Sequence, residues 1–366
     1  MFTEAKVNSV GLRLEHLSKA WNGFALKDVS LDMANGEYLA LLGPNGAGKT
    51  LLLETIVGFH RPDKGRILLD GKDVTFLPPE KRRMGYVPQD CMLFPHMKVR
   101  QNVEFGLKMR GVAEDERRKA VDGVLMLMGL TGLEDKLPMT LSGGEKQKVA
   151  LARVLAFEPK VILLDEPLAS IDEETRRATK VELKRIHRDL KVTIVHVTHD
   201  QMEAFSLAER VAVMNCGHIL QVDQPKSLLS NPADESVARF LGYENIFRGR
   251  FVKQDGGLSF VDVNGSVIRA IGSVEDDDCI VAIRPEDISL STKPVSPSYV
   301  NVLRGAVADC IDMGPIVSVS VDSVSRVKAT VTKGSFLELN PDRGTQVWLS
   351  FKPESVRVLA KHQASK

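Results

Sequence analysis

Cysteine and aromatic residues are scarce in this chain of 366 residues, which has four cysteines and an aromatic share of 5%. Cys91, Cys216, Cys279 and Cys310 stand far apart, with no pair at metal-binding or redox spacing. Neither a disulfide framework nor a cysteine-ligated metal is expected, and a reducing compartment fits. Charge of one sign is also lacking: Lys+Arg 49 offsets Asp+Glu 48, a formal charge of +1. That balance removes the general electrostatic reason to expect nucleic acid as a partner. No apolar run reaches the roughly 18 residues needed to span a bilayer, so any membrane role is expected to come through a partner. Met1 to Val10 has no basic-then-apolar pattern, and no secretory signal is expected there. The hydrophobic share of 43% and charged share of 27% are ordinary for a globular chain whose length suits two domains.

Residues Gly11 to about Glu235 read as alternating strands and helices, an α/β pattern around a largely parallel sheet. Three short apolar runs, Tyr38 to Leu42, Val161 to Leu164 and Val192 to Val197, have the texture of buried parallel strands. Polar motif residues follow each at its C-terminal end, the edge where open α/β sheets bind ligands. Between Pro95 and about Met139 the pattern turns helical, with amphipathic spacing over Val99 to Arg110 and Ala113 to Met128. After about Leu241 the segments become short and strand-like, helical periodicity disappears, and turns are expected at Asp255-Gly256-Gly257, Asn264-Gly265 and Asp342-Arg343-Gly344. This region reads as a separate all-β domain of two halves of similar size meeting near Pro294 to Pro297, with an OB-like barrel the natural expectation. The acidic run Glu275 to Asp278 reads as a solvated turn rather than a cation site.

Gly43-Pro44-Asn45-Gly46-Ala47-Gly48-Lys49-Thr50 fits G-x-x-x-x-G-K-[ST] between an apolar strand and a segment able to start a helix. Its glycines allow backbone N–H groups to turn inward on a phosphate, and the helix start adds partial positive charge. Lys49 is expected on the β- and γ-phosphates and the Thr50 hydroxyl on Mg²⁺. Asp165 and Glu166 close a strand. The aspartate suits Mg²⁺, and the glutamate suits orienting and deprotonating an attacking water. Read alone, two carboxylates at a strand end are more often a solvated terminus; behind a phosphate loop they complete a nucleotide hydrolase. Leu141-Ser142-Gly143-Gly144-Glu145 adds a second helix start with exposed backbone donors, capped by Ser142. Two such ends, distant in sequence, make sense when one serves the nucleotide of a second copy.

These motifs, in this order over Gly11 to Gly242, resemble those of ATP-binding-cassette (ABC) proteins. The resemblance implies an α/β P-loop NTPase (RecA-like) core with a helical insertion and an antiparallel β arm, followed by a C-terminal all-β OB-like (TOBE) domain. It divides the chain into 1–240, with a helical subdomain at about 90–158, and 241–366. It implies that Gly43 to Leu51 and Trp21 bind ATP, the tryptophan by stacking on adenine, although a core tryptophan is the alternative. Gln89 is implied to sense Mg²⁺ and the attacking water. Ser142, Gly143, Gly144 and Glu145 would cover the nucleotide of the opposing copy, and Asp172 would contact that copy. His199 is implied as the histidine that grips the γ-phosphate. His196 is its rival, but it lies an odd number of positions away on a strand and so faces the other side. Leu51 stands where many relatives carry a second hydroxyl, and Glu145 where they usually carry glutamine. The implied cofactors are ATP and Mg²⁺. The implied partners are a second copy, a transmembrane permease docking near Gln89 to Met97 and, indirectly, a substrate-binding protein, on the cytoplasmic face of the membrane. No nucleic acid is expected.

The tail resembles the regulatory tail of import-type cassette proteins, and its details lean toward molybdate or tungstate importers. Asn301-Val302-Leu303-Arg304-Gly305 matches the opening of their oxyanion-binding modules, while Thr332 to Ser335 and Lys352 to Val356 match only in part. Val300, Pro353 and Glu354 depart from that pattern, and a glutamate beside a dianion would repel it. Sulfate, sugar, polyamine and ferric iron remain alternative substrates, and a soluble cassette ATPase acting on ribosomes or DNA is a further class. A guanine-recognition Asn-Lys-x-Asp is not present.

Overall fold

The computed structural model describes residues 10–169, 171–272, 277–297 and 300–360. The chain divides into two compact units between Pro225 and Lys226. That division falls one residue into the short helix Pro225–Ser230, so the rest of this helix and all of Glu235–Phe240 are compact with the second unit. The Tyr243 hydroxyl, for example, donates to Leu229 O at 2.6 Å.

The first unit is built on a six-stranded sheet in the order His218–Asp223, Arg210–Asn215, Tyr38–Leu42, Thr193–Thr198, Val161–Asp165, Met84–Val87. All neighbours pair in parallel except the edge hairpin His218–Asp223 with Arg210–Asn215. The three central strands are buried at every position, which explains their unbroken apolar runs. Alternation sorts their side chains to two faces. Leu39, Leu41, Leu163, Val195 and Val197 enter one core with the helix Lys49–Val57 and the antiparallel sheet formed by Phe24–Ala34, Val10–Trp21, Lys64–Leu69 and Lys72–Asp73. Tyr38, Ile162, Leu164 and Ile194 enter the other core with the helices Val99–Met109, Glu114–Leu127 and Gly143–Leu155.

The second unit holds two five-stranded antiparallel sheets that share one core. The structure exposes an internal repeat that the sequence reading missed. Asn245-Ile246-Phe247-Arg248-Gly249 opens the central strand of one sheet, and Asn301-Val302-Leu303-Arg304-Gly305 that of the other. Each asparagine clamps the backbone of a strand in the opposite half. Asn245 pairs with Lys328 N and O at 2.7 and 2.8 Å, and Asn301 with Arg269 N and O at 2.7 and 2.9 Å. A Cβ on Gly249 or Gly305 would lie 2.4 or 2.6 Å from Val261 or Val321. The closing strands are exchanged: Ser289–Ser291 pairs with Gln346–Phe351, and Arg357–Ala360 pairs with Asp278–Ile283. Helix is not wholly absent from this region. Lys333–Leu339 is a single short helix, capped by Thr332 and too short to show a period. The Asn264-Gly265 turn has φ of 51° and 88°, as a two-residue hairpin requires. Glu275 and Asp276 of the acidic run lie outside the described residues.

Candidate nucleotide-binding site

The loop from Gly43 to Thr50 leaves the central strand Tyr38–Leu42 at its C-terminal end and runs into the helix Lys49–Val57. Gly46 and Gly48 have φ of 79° and 98°, which only glycine adopts freely. A Cβ on Gly48 would also lie 2.4 Å from the Phe24 ring. Lys49 is 5% exposed and folds over the loop, donating to Gly43 O at 2.8 Å and Pro44 O at 3.0 Å. Burial lowers its pKa, and the nearby Glu166 and Asp165 carboxylates oppose that shift.

Asp165 ends its strand beside this helix. Its Oδ1 accepts from the Thr50 hydroxyl at 3.1 Å and its Oδ2 from the Tyr86 hydroxyl at 3.3 Å. Burial raises its pKa, and these two hydrogen bonds pull it back down. Glu166 follows with φ 44°, an uncommon conformation for a residue with a Cβ. Its N–H donates to Val197 O on the neighbouring strand at 3.0 Å, and its Oε1 lies 3.2 Å from His199 Nδ1. The open cleft over the loop is lined by Phe24, Asn45, Lys49, Thr50, Leu51 and Glu166, among others. The structure thus brings together the loop, both carboxylates and His199.

His196 is fully buried, and the Tyr38 hydroxyl lies 2.8 Å from its Nδ1. Its Nε2 is 3.9 Å from Glu203, whose other contacts are the Thr198 hydroxyl at 2.8 Å and Arg176 at 3.9 Å. This network lies beneath the strand end that carries His199. Burial pushes the His196 pKa down from 6.5 to about 3. Between those values the unfolded chain binds a proton that the folded chain refuses. The stabilisation is complete above pH 6.5 and is lost as pH falls, at up to about 1.4 kcal/mol per pH unit. His196→Gln is expected to give a shallower acid limb in urea midpoints measured from pH 7 to 5. Parallel curves for the two proteins would count against this.

Other expected residues sit apart from this cluster. Gln89 is exposed beyond the strand Met84–Val87. Trp21 is half-buried at the end of the strand Val10–Trp21, edge-on to His60 at 5.3 Å. Ser142 caps the helix Gly143–Leu155 in a reciprocal box. Glu145 N donates to Ser142 Oγ at 3.3 Å, and Ser142 N to Glu145 Oε2 at 2.7 Å. The Glu145 carboxylate is therefore committed to its own helix, which leaves the Gly143 and Gly144 N–H groups as the open donors. Asp172 caps the helix Glu173–Leu190 by accepting from Thr175 N at 2.9 Å. A Cβ on Gly144 would lie 2.4 Å from Thr175 Cγ2, so these two helix starts pack directly on each other. Ser170 lies outside the described residues.

Phe24, Tyr86 and Arg82 were not anticipated from the sequence. Phe24 follows the tight turn Asn22-Gly23, a signal that was available. Arg82, 1% exposed, donates to Thr55 O and Ile56 O at the C-terminal end of the loop helix, and to Leu77 O and Thr75 O. It clamps the end opposite the phosphate loop, where a cation complements the helix dipole. Within 94–98, Asn102 fixes the chain by four hydrogen bonds, and Phe94 packs on Phe105 at 4.5 Å. Met92, Pro95 and His96 therefore point outward, and Phe94 and Met97 are half-buried. No helix among the described residues is long and apolar enough to cross a membrane.

The ABC transporter family model matches residues 26–169, and the TOBE domain model matches residues 281–359. The molybdate/tungstate import ATP-binding protein WtpC of Pyrococcus abyssi is 44% identical over 348 residues, covering 95% of this chain and 99% of its own. The sulfate/thiosulfate import ATP-binding protein CysA of Thermosynechococcus vestitus is 39% identical over 351 residues, covering 95% and 98%. Among solved structures, cbiO1 from Clostridium perfringens, part of the ABC transporter complex cbiONQ, superposes with a TM-score of 0.57 at 34% identity. That match covers 64% of this chain and 96% of cbiO1.

Proposed function

Because the chain belongs to the ABC transporter family of import ATP-binding proteins, we propose that it hydrolyses ATP between two copies of itself to drive molybdate or tungstate uptake through separate membrane-spanning subunits. The ATPase reading rests on one juxtaposition: the phosphate loop, Asp165, Glu166 and His199 meet at the C-terminal edge of the parallel sheet. Thr50 and Asp165 suit Mg²⁺, since both offer hard oxygen donors and stand 3.1 Å apart, and Gln89 is the third candidate. When bound, the ion would supply positive charge to the phosphoryl oxygens.

The protein's own groups do the rest. Backbone N–H groups from Gly46 to Thr50 and the Lys49 ammonium hold the phosphates, and Trp21 receives the adenine. Glu166 takes a proton from the attacking water while the water's oxygen bonds to the γ-phosphorus, and the bond from that phosphorus to the β-phosphate oxygen breaks to release ADP. His199, beside Glu166, donates to the γ-phosphate. The Ser142 hydroxyl and the Gly143 and Gly144 N–H groups of the opposing copy close the site, with Asp172 at the same junction. Glu145 serves by holding that helix start open. Loss of the shared phosphate then releases the two copies. The chain works at the cytoplasmic face of the membrane, docks a permease through the surface from Gln89 to Met97, and is linked only indirectly, through that permease, to a substrate-binding protein. The first compact unit serves as the motor and the second as the regulatory tail.

The substrate assignment rests on identity that runs through both motor and tail. Sulfate is the second reading, on the strength of the sulfate/thiosulfate relative. Deleting this chain from its cell is expected to abolish accumulation of labelled molybdate and tungstate and to spare sulfate and spermidine. Loss of sulfate uptake alone would overturn the substrate and leave the ATPase reading standing.

A further inference from the structure

Two positions after Gln89 the backbone turns left-handed at consecutive residues, Cys91 with φ 59° and Met92 with φ 42°. Among the described residues this is the one adjacent pair of non-glycine residues in that region. Residues with a Cβ persist there only where their surroundings hold them. Local bonds, Cys91 N to Pro88 O at 3.0 Å and Met92 N to Asp90 O at 2.6 Å, close the turn. Further hydrogen bonds come from the helix Gly143–Leu155, whose first turn carries the Ser142 cap.

Arg153 donates Nη1 to Met92 O at 2.7 Å and Nη2 to Cys91 O at 2.9 Å. The Cys91 thiol donates to Gln147 Oε1 at 2.8 Å. Gln147 is 2% exposed and its Nε2 has no partner among the described residues, where this buried amide is held chiefly by its bond to the turn. The same guanidinium sits against the Phe94 ring, 5.5 Å from its centroid, at the start of the outward segment Pro95–His96. A single helix, through Gln147 and Arg153, therefore grips the chain on the far side of Gln89 at three backbone or side-chain atoms.

We propose that Arg153 and Gln147 are positioning residues that hold the Cys91–Met92 turn and thereby set Gln89 in register with the hydrolytic site. The proposal rests on the reading of Gln89 given above.

The test follows site-resolved alkylation of Cys91 by iodoacetamide, read by mass spectrometry with exposed Cys216 as internal reference, alongside steady-state ATP hydrolysis by the full chain. Arg153→Met is expected to speed Cys91 alkylation severalfold and to lower kcat about tenfold to a hundredfold at little-changed KM. Gln147→Leu, which removes the thiol's acceptor together with an unpaired buried amide, is expected to do both to a smaller degree and guards against misfolding of the arginine variant. Arg153→Lys, able to reach one carbonyl, is expected to recover part of each effect. Gln89→Ala is expected to lower kcat and leave Cys91 alkylation at the parent rate. Parent-like kcat in folded Arg153→Met and Gln147→Leu with Cys91 exposed overturns this proposal alone, as does unchanged Cys91 reactivity in both. Parent-like kcat in Gln89→Ala removes the Gln89 reading and this proposal with it.

Discussion

Replacing Glu166 by glutamine is expected to slow ATP turnover about 10²- to 10⁴-fold, the range for loss of a general base, while ATP binding is kept and a dimer accumulates. The side chain is set by an uncommon backbone conformation, φ 44°, and by an amide bond to Val197 O on the neighbouring strand. Its carboxylate faces the loop cleft and stands 3.2 Å from His199 Nδ1. Glutamine preserves that shape and can still accept a hydrogen bond, but it cannot take the water's proton. If the phosphate shared between two copies holds them together, a site that cannot hydrolyse cannot release. Size-exclusion chromatography with ATP and magnesium should show the variant as a dimer and the parent mainly as monomer during turnover. A variant that stays monomeric, beside a parent whose rate per chain is unchanged on dilution, would sink the two-copy mechanism.

The second large effect is expected at Lys49. Lys49 is 5% exposed, and its ammonium bridges Gly43 O and Pro44 O and lies close to Glu166 and Asp165, which favour its charged form against the effect of burial. Lys49→Ala removes both the loop's internal clasp and the charge meant for the β- and γ-phosphates. Hydrolysis should fall about 10²- to 10³-fold, as when a preorganised charge partner is removed, and MgATP should no longer raise the melting temperature. Lys49→Arg is not expected to rescue, because the wider planar fork does not fit a niche shaped for a compact ammonium. This outcome differs from that of Glu166→Gln, which retains thermal stabilisation by ATP. A Lys49→Ala protein still stabilised by ATP to the parent's degree would show that the loop is not the principal phosphate contact.

Where a motif is local, the sequence and the structure agree closely. The strand Tyr38–Leu42 ends where Gly43 begins the loop, and Val161–Asp165 ends at the expected carboxylate. The third strand runs Thr193–Thr198, one residue later than its apolar run suggested, and puts His199 just past its end. The amphipathic helices Val99–Met109 and Glu114–Leu127 fall within one residue of their expected limits. Each of these rests on neighbours along the chain: apolar runs, glycine tolerance and helical spacing. The Asn245 and Asn301 repeat was equally local, but its two copies are 56 residues apart (301 − 245) and share only a few letters, so strand exchange was needed to make it visible.

By itself, then, the order of residues determined the phosphate loop, its following helix, the strand-end carboxylates and the capped second helix start, because each depends on backbone freedom and side-chain chemistry within a few positions. Only the tertiary structure decided how they are held. It seated Arg82 under the loop helix, spent the Glu145 carboxylate on its own cap, pressed Gly144 against Thr175, buried His196 on Tyr38 and gripped the turn after Gln89 with Arg153. All but the Glu145 cap join residues distant along the chain. Such contacts leave no periodic trace in the sequence, since packing and hydrogen-bond satisfaction choose them from many partners of similar chemistry.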